Sequence, residues 1–147
     1  MKNNTYEIFD MIQELSWYFG NQGFVGECCG DLSLVEYMTL KRVHNNACAS
    51  MQEIGNALNI SKSSMSKIID RIEHKGYVAR KISPIDGRVC CVELTKNGVD
   101  IIQRITERYA DYVGDMLKNS SSEEKDELKS ALNLLLLAAR DEGFIKK

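Results

Sequence analysis

A chain of 147 residues, 44% hydrophobic and 27% charged, has the length and make-up of one globular domain and is short for an enzyme with separate cofactor and substrate lobes. No basic-then-apolar leader opens it, and its longest apolar run, Leu134 to Ala139, falls far short of the ~20 residues of a membrane helix, so a cytoplasmic protein with no membrane partner is expected. The net charge of −2 hides an asymmetry: residues 61–88 carry seven basic and three acidic side chains, a local +4, whereas residues 1–30 balance at −3, and a basic patch on an acidic chain is a footprint for a polyanion.

In chain order, the three-and-four spacing of Ile8, Phe9, Ile12, Leu15 and Phe19 predicts a first helix over 5–19, ending near Gly20. A Gly-containing loop follows to Gly30, after which Asp31 is a candidate cap for a second helix carrying Leu34, Val35, Met38 and Val43. Ser50 with Glu53 three places on has the form of a capping box and opens a short helix with Ile54, Ala57 and Leu58 on one face. Asn59 and Ile60 make a tight connection, and Ser61 caps the next helix. There Met65, Ile68, Ile69 and Ile72 form the buried stripe, Gly76 is the stop, and Ser63, Ser64, Ser66, Lys67, Asp70 and Arg71 face outward. Residues 77–82 and 88–94 alternate as two strands around a loop with Pro84 and Asp86-Gly87. Thr95 caps a long helix with Ile101, Ile102, Ile105, Tyr109, Val113, Met116 and Leu117, and Ser121 with Glu124 starts a last one through Leu128, Leu132 and the apolar run.

Two short helices joined by a tight turn and followed by a hairpin are the order of a winged helix-turn-helix, a mainly α (α+β) fold. A helix fits the major groove of B-DNA and presents its N-terminal residues there. Ser61, Lys62, Ser63, Ser64 and Ser66 stand at such an N-terminus, where small hydroxyls permit close approach and the helix dipole attracts phosphate. Lys67 and Arg71 extend that face, while Arg88 at the hairpin tip is suited to an adjacent narrow minor groove. The partner expected from these residues is double-stranded DNA.

The stretch from Leu32 to Asn97, through Ser50 to Leu58, "NISKSSMSKIIDRIEHKGYVAR", Asp86-Gly87-Arg88 and "VELTKNG", resembles the MarR family of bacterial transcriptional regulators. The resemblance implies a homodimer of winged helices, usually a repressor. It divides a single MarR-like domain, 1–147, into a DNA-binding lobe over 32–95 and dimerisation helices over 1–30 and 96–147. It also implies a recognition helix over roughly 61–75, Arg88 as the wing arginine, and Asp86 as the group orienting basic neighbours. Many members carry a second basic residue where this chain has Gly87. Independently, "ALNLLLLAA" is apolar on too many sides for an exposed helix, and a symmetric dimer is the simplest cover; two recognition helices would then meet a near-palindromic operator.

The five cysteines, at 28, 29, 48, 90 and 91, show neither a disulfide framework nor a zinc signature and are expected as thiols in a reducing compartment. Cys28 and Cys29, in the loop "GECCGD", are the candidate effector and metal site: they suit a soft metal, a metalloid or an electrophile, and two small packed residues is the plain alternative. Cys90 is expected to point inward with Val92 and Leu94, and Cys91 outward with Val89 and Glu93. His44 and Cys48 have helical ligand spacing but are better read as packing, and His74 as a solvent-facing residue near a helix end. A small aromatic effector near Trp17, Tyr18 and Phe19 is a further option. No cofactor is required, and no Gly-rich phosphate loop, Ser-His-Asp set or metal cluster marks an enzyme. A winged-helix docking module, and more remotely a thiol-redox enzyme, are the competing functions.

Overall fold

The computed structural model describes residues 3–22 and 30–142, which fall into two units divided after Arg108. In the first unit, α1 (Asn3–Ser16) passes into a π-helical turn, Trp17–Gln22. Helix α2 (Leu34–His44) is capped by Ser33, not by Asp31: the Ser33 hydroxyl accepts from the Glu36 N–H and the Glu36 carboxylate accepts from the Ser33 N–H, closing a capping box. Asp31 instead accepts a 2.8 Å hydrogen bond from the Tyr77 hydroxyl. The expected stripe on α2 is displaced as well. Val43 is buried as expected, together with Glu36, Thr39 and Leu40, while Leu34 and Met38 are exposed.

Helices α3 (Met51–Leu58) and α4 (Lys62–His74) begin at Ser50 and Ser61 as expected. Between them Asn59 takes the left-handed conformation (φ 55°), and the Ile60 N–H bonds the Gly55 carbonyl at 2.8 Å. A Cβ on Gly55 would stand 2.6 Å from the Ile60 carbonyl oxygen, so a residue without one lets the connection turn this tightly. Strands β2 (Val78–Ile82) and β3 (Cys90–Leu94) form the hairpin, with Val78 opposite Leu94 and Ile82 opposite Cys90. A two-residue strand, β1 (Ala49–Ser50), precedes α3 and pairs with β3, giving the antiparallel order β1-β3-β2.

Helix α5 (Lys96–Met116) starts at Thr95, whose hydroxyl accepts from the Gly98 N–H and donates to the Gly76 carbonyl at 2.6 Å. The core of this unit joins Leu40 and Val43 of α2, Ile54 of α3, Met65, Ile69 and Ile72 of α4, Val92 of β3, and Ile101 and Ile105 of α5. The apolar stripe predicted on α4 is the one buried.

Strand β3 is the central strand, and it is buried on both faces at Cys91 and Val92, which are 1% and 0% exposed. Cys90, expected inward, is exposed, and Cys91, expected outward, is buried. The thiol expectation is likewise corrected for one pair: Cys48 and Cys91, with Cα atoms 4.9 Å apart, are joined as a disulfide. Their separation of 43 residues fits no sequence motif. Cys28 and Cys29 lie outside the described residues.

In the second unit the end of α5 leads to α6 (Ser122–Glu142), which opens on the Ser121–Glu124 capping box. No residue of α6 is buried, and Leu128, Leu132 and Leu134 to Leu137 are all exposed. Among the described residues no helix is long and apolar enough to cross a membrane.

Candidate nucleic-acid interface

The site is organised by the N-terminus of α4. Ser61 caps it, its hydroxyl accepting from the Ser64 N–H at 3.2 Å and lying 3.3 Å from the Ser63 hydroxyl. With the third turn position so capped, the N–H groups of Lys62 and Ser63 remain at the positive end of the helix dipole, where an anion can accept them. Ser61, Lys62, Ser63, Ser64 and Lys67 are exposed, and Ser66 is half-buried. The first turn and a half of α4 therefore presents hydroxyls and two ammonium groups together.

Arg71, one turn further on, is not simply a surface cation. Its Nε donates to Glu36 Oε1 at 3.1 Å, and Lys75 Nζ donates to Glu36 Oε2 at 2.8 Å. Glu36 is only 3% exposed. Burial works to raise its carboxyl, but the Lys75 hydrogen bond, the Ser33 N–H and the Arg71 bond outweigh that and hold it below its ordinary value. One buried carboxylate thus ties two basic residues of α4 to the start of α2. The bond uses Nε of a half-exposed Arg71, so its two terminal nitrogens, the pair that grips a guanine edge or a phosphate bidentately, are not consumed.

The hairpin is fixed to the same helix by a second tether. Arg80 of β2 bonds Asp70 and Glu73 of α4, and its N–H also donates to Glu73 Oε2 at 3.1 Å. Lys81 pairs with Glu93 across the hairpin. In the loop 83–89, the Ser83 hydroxyl accepts from the N–H groups of Ile85 and Asp86, and Asp86 Oδ1 accepts from the Arg88 N–H at 3.0 Å. Asp86 therefore shapes the backbone beneath Arg88; this bond is to a main-chain group, not to a guanidinium. Ile85, 96% exposed, stands at the tip.

These pairings sort the basic patch. Arg71, Lys75, Arg80 and Lys81 are engaged with Glu36, Asp70, Glu73 and Glu93. Lys62, Lys67 and Arg88 enter no ion pair among the described residues. Sequence reasoning found the exposed face of α4 but missed Glu36, although "SLVE" carries the same Ser-x-x-Glu signature that identified Ser50. Trp17, Tyr18 and Phe19 are exposed on the π-helical turn. Among the described residues no group of three or more metal-ligating side chains gathers.

The model of the family described as "MarR family" matches residues 32–90, the span from the approach to α2 to the first residue of β3. The HTH-type transcriptional regulator MhqR of Bacillus subtilis (strain 168) is 26% identical over 109 residues, 74% of this chain and 75% of MhqR. Two further curated relatives are matched over 42% and 57% of their own length. Among solved structures, a MarR family protein from Bacillus stearothermophilus superposes with a TM-score of 0.80 at 18% identity, covering 94% of this chain and 96% of that one. A point mutant of S. aureus MepR bound to an oligodeoxyribonucleotide superposes with a TM-score of 0.62 at 20% identity, covering 92% and 97%. The curated relatives are transcriptional regulators, not enzymes. Residues 32–90 thus match the MarR family model, and the described residues share the winged-helix fold of a solved MarR family protein.

Proposed function

We propose that the protein is a sequence-specific DNA-binding repressor that acts in the cytoplasm as a homodimer on a near-palindromic operator. The observation that carries this reading is the set of cations that enter no ion pair among the described residues of 61–88: Lys62 and Lys67 on α4 and Arg88 on the wing. The first two flank the hydroxyl-rich N-terminus of a helix of 13 residues, the element a major groove accepts. Ser61, Ser63, Ser64 and Ser66 serve phosphates or base edges at close range, Arg71 reads a base through its terminal nitrogens, and Arg88, held by Asp86, enters the minor groove. The DNA-bound MepR mutant of like fold supports the same use of the fold.

Dimerisation is supported by α6. Its leucines are exposed in the single chain, a larger apolar surface than a soluble monomer usually leaves in water. A two-fold axis would set two α4 helices about 34–36 Å apart along the duplex, one helical turn. Release by a small effector completes the reading, through either a thiophilic species or soft metal at Cys28 and Cys29 or an aromatic compound at Trp17, Tyr18 and Phe19. An effector acts only by preferring one dimer conformation over the other.

Selection of bound duplexes from random DNA, followed by titration of the winning site against salt, tests this. A near-palindromic consensus and a log-log fall of affinity with salt are expected. Absence of binding to any duplex at low salt would refute the reading and point to a docking module.

A further inference from the structure

Apolar surface gathers at the tip of the wing. Ile85 is 96% exposed, with exposed Ile82 and Val89 at the base of the same loop. A lone surface isoleucine is ordinary, but this one is held out by a loop that sets its own shape. The Ser83 N–H donates to the Val89 carbonyl at 2.8 Å, and the Val89 N–H to the Asp86 carbonyl at 3.0 Å. The Ser83 hydroxyl and the Asp86 carboxylate take the N–H groups of Ile85, Asp86 and Arg88. Pro84 fixes its own φ and has no N–H to satisfy. The loop therefore needs no partner to order it and loses little freedom on meeting one. At Gly87 a Cβ would meet no atom within 4 Å, so the missing side chain keeps the tip narrow. Ile85 also lines one cleft with Ser83, Asp86 and Arg88 of the wing and Lys62 of α4, which places it on the side of the wing that faces the hydroxyl-rich helix end. Two cations that enter no ion pair among the described residues thus share its surroundings, whereas the centre of a protein-docking surface is depleted of charge.

We propose that Ile85 is an apolar wedge for DNA: with Arg88 in the minor groove, the Ile85 side chain enters between two neighbouring base pairs, opens that step and bends the operator. The proposal rests on the DNA-binding reading and adds to it a residue that selects sequence without a hydrogen bond. An aliphatic side chain inserted from the minor groove unstacks the step and kinks the duplex toward the major groove, the groove assigned to α4. The unstacking is unfavourable, and the burial of an isoleucine that otherwise stands wholly in water offsets it. Arg88, three residues on, holds the phosphate-lined groove against the tip while the step opens. Steps differ in how readily they unstack: TA and CA/TG open easily, and A-tracts resist. Ile85 therefore imposes a preference for a flexible pyrimidine–purine step under each wing, two per dimer, at positions where no side chain reads a base edge.

The test uses the full chain and the duplex it selects from random DNA. Hydroxyl-radical protection that disappears in Arg88→Ala marks where the wing lies, and 2-aminopurine is placed at each step there. Wild type should raise the 2-aminopurine fluorescence at one step, and energy transfer between dyes on the duplex ends should report a bend of at least about 20° per wing. Ile85→Ala should abolish both signals and weaken binding about tenfold while leaving the salt slope unchanged, since no phosphate contact is lost. Ile85→Leu should restore both signals. At 96% exposure Ile85 supports little of the fold, so all three proteins should share one Tm. Replacing the opened step by AA should weaken wild type but not Ile85→Ala. A bound operator that stays straight and stacked, or an Ile85→Ala complex as bent as the wild type, overturns the wedge and leaves the DNA-binding reading standing. A smaller sedimenting mass for free Ile85→Ala gives the tip to a second copy and also overturns it. If wild type binds no duplex at low salt, the wedge falls together with the reading on which it rests.

Discussion

The salt dependence of operator binding separates the structure's charge count from the sequence's. Counting the seven basic residues of 61–88 as phosphate contacts gives fourteen in a dimer and a log-log slope of about −13 at roughly 0.9 per contact. Among the described residues three of the seven per chain enter no ion pair, Lys62, Lys67 and Arg88, hence six in the proposed dimer and a slope of about −5. Between 50 and 200 mM salt the second figure corresponds to a loss of about two-thousandfold in affinity. Lys67→Ala removes two contacts from the dimer, so its slope should fall to about −3.6 and its loss over the same range to about 150-fold. Fluorescence anisotropy on a labelled operator across that range reads both numbers. A wild-type slope near −13 would mean that the pairs with Glu36, Asp70, Glu73 and Glu93 open on DNA, and an unchanged slope in Lys67→Ala would remove Lys67 from the interface.

Three other perturbations follow from single contacts. Glu36→Gln keeps the shape of the buried side chain but removes the charge shared by Arg71 and Lys75; with both cations partly exposed, urea unfolding at pH 7 should show a loss of about 2 kcal/mol. Because the folded carboxyl titrates below its ordinary value, this stabilisation is fully present above about pH 4.3, the unfolded value, and is lost as pH falls through the folded one; wild type and variant should therefore converge in acid, and parallel curves would refute the assignment. Gly98→Ala places a Cβ 2.1 Å from the Tyr77 carbonyl oxygen, a clash with main chain that outweighs the gain in helix propensity, so thermal unfolding should show a net loss of at least about 1 kcal/mol, and a stabilised variant would contradict the packing. Leu132→Asp with Leu135→Asp alters two exposed neighbours on one face of α6, which should halve the mass in sedimentation if a second copy covers them and leave it unchanged if none does.

How far the sequence is legible depends on how many residues share in each signal. Helix α4 was readable in phase because four apolar positions repeat at helical spacing between a serine cap and a glycine stop. Strand β1 was not, since two residues carry no alternation, and its absence in turn hid the central position of β3. A strand with one face in water should bury alternate residues, whereas β3 buries both Cys91 and Val92. In the candidate site the outward residues Ser61, Ser63, Ser64 and Lys67 follow from the buried stripe by subtraction. Partnership does not: nothing in the spacing of Arg71 and Lys75 from Glu36, 35 and 39 residues away, announces that they meet.

Those meetings change what the basic patch is for. Four of its cations are spent on orientation, with Arg71 and Lys75 locking α4 to α2 through Glu36, Arg80 locking β2 to α4 through Asp70 and Glu73, and Lys81 bracing the hairpin through Glu93. An exposed ion pair alone contributes little to stability, but the pairs that join α4 to its neighbours either end on a buried carboxylate or are backed by a main-chain hydrogen bond, so they fix an angle between elements. A reading helix and a wing must enter neighbouring grooves at the same time, and a small rotation of one against the other would cost one of the two contacts. A patch with all seven charges free would attract DNA more strongly and position it less well. On the proposed DNA-binding reading, the distribution found here leaves attraction to Lys62, Lys67 and Arg88 and uses the remainder to hold their carriers in register, as selective binding would require.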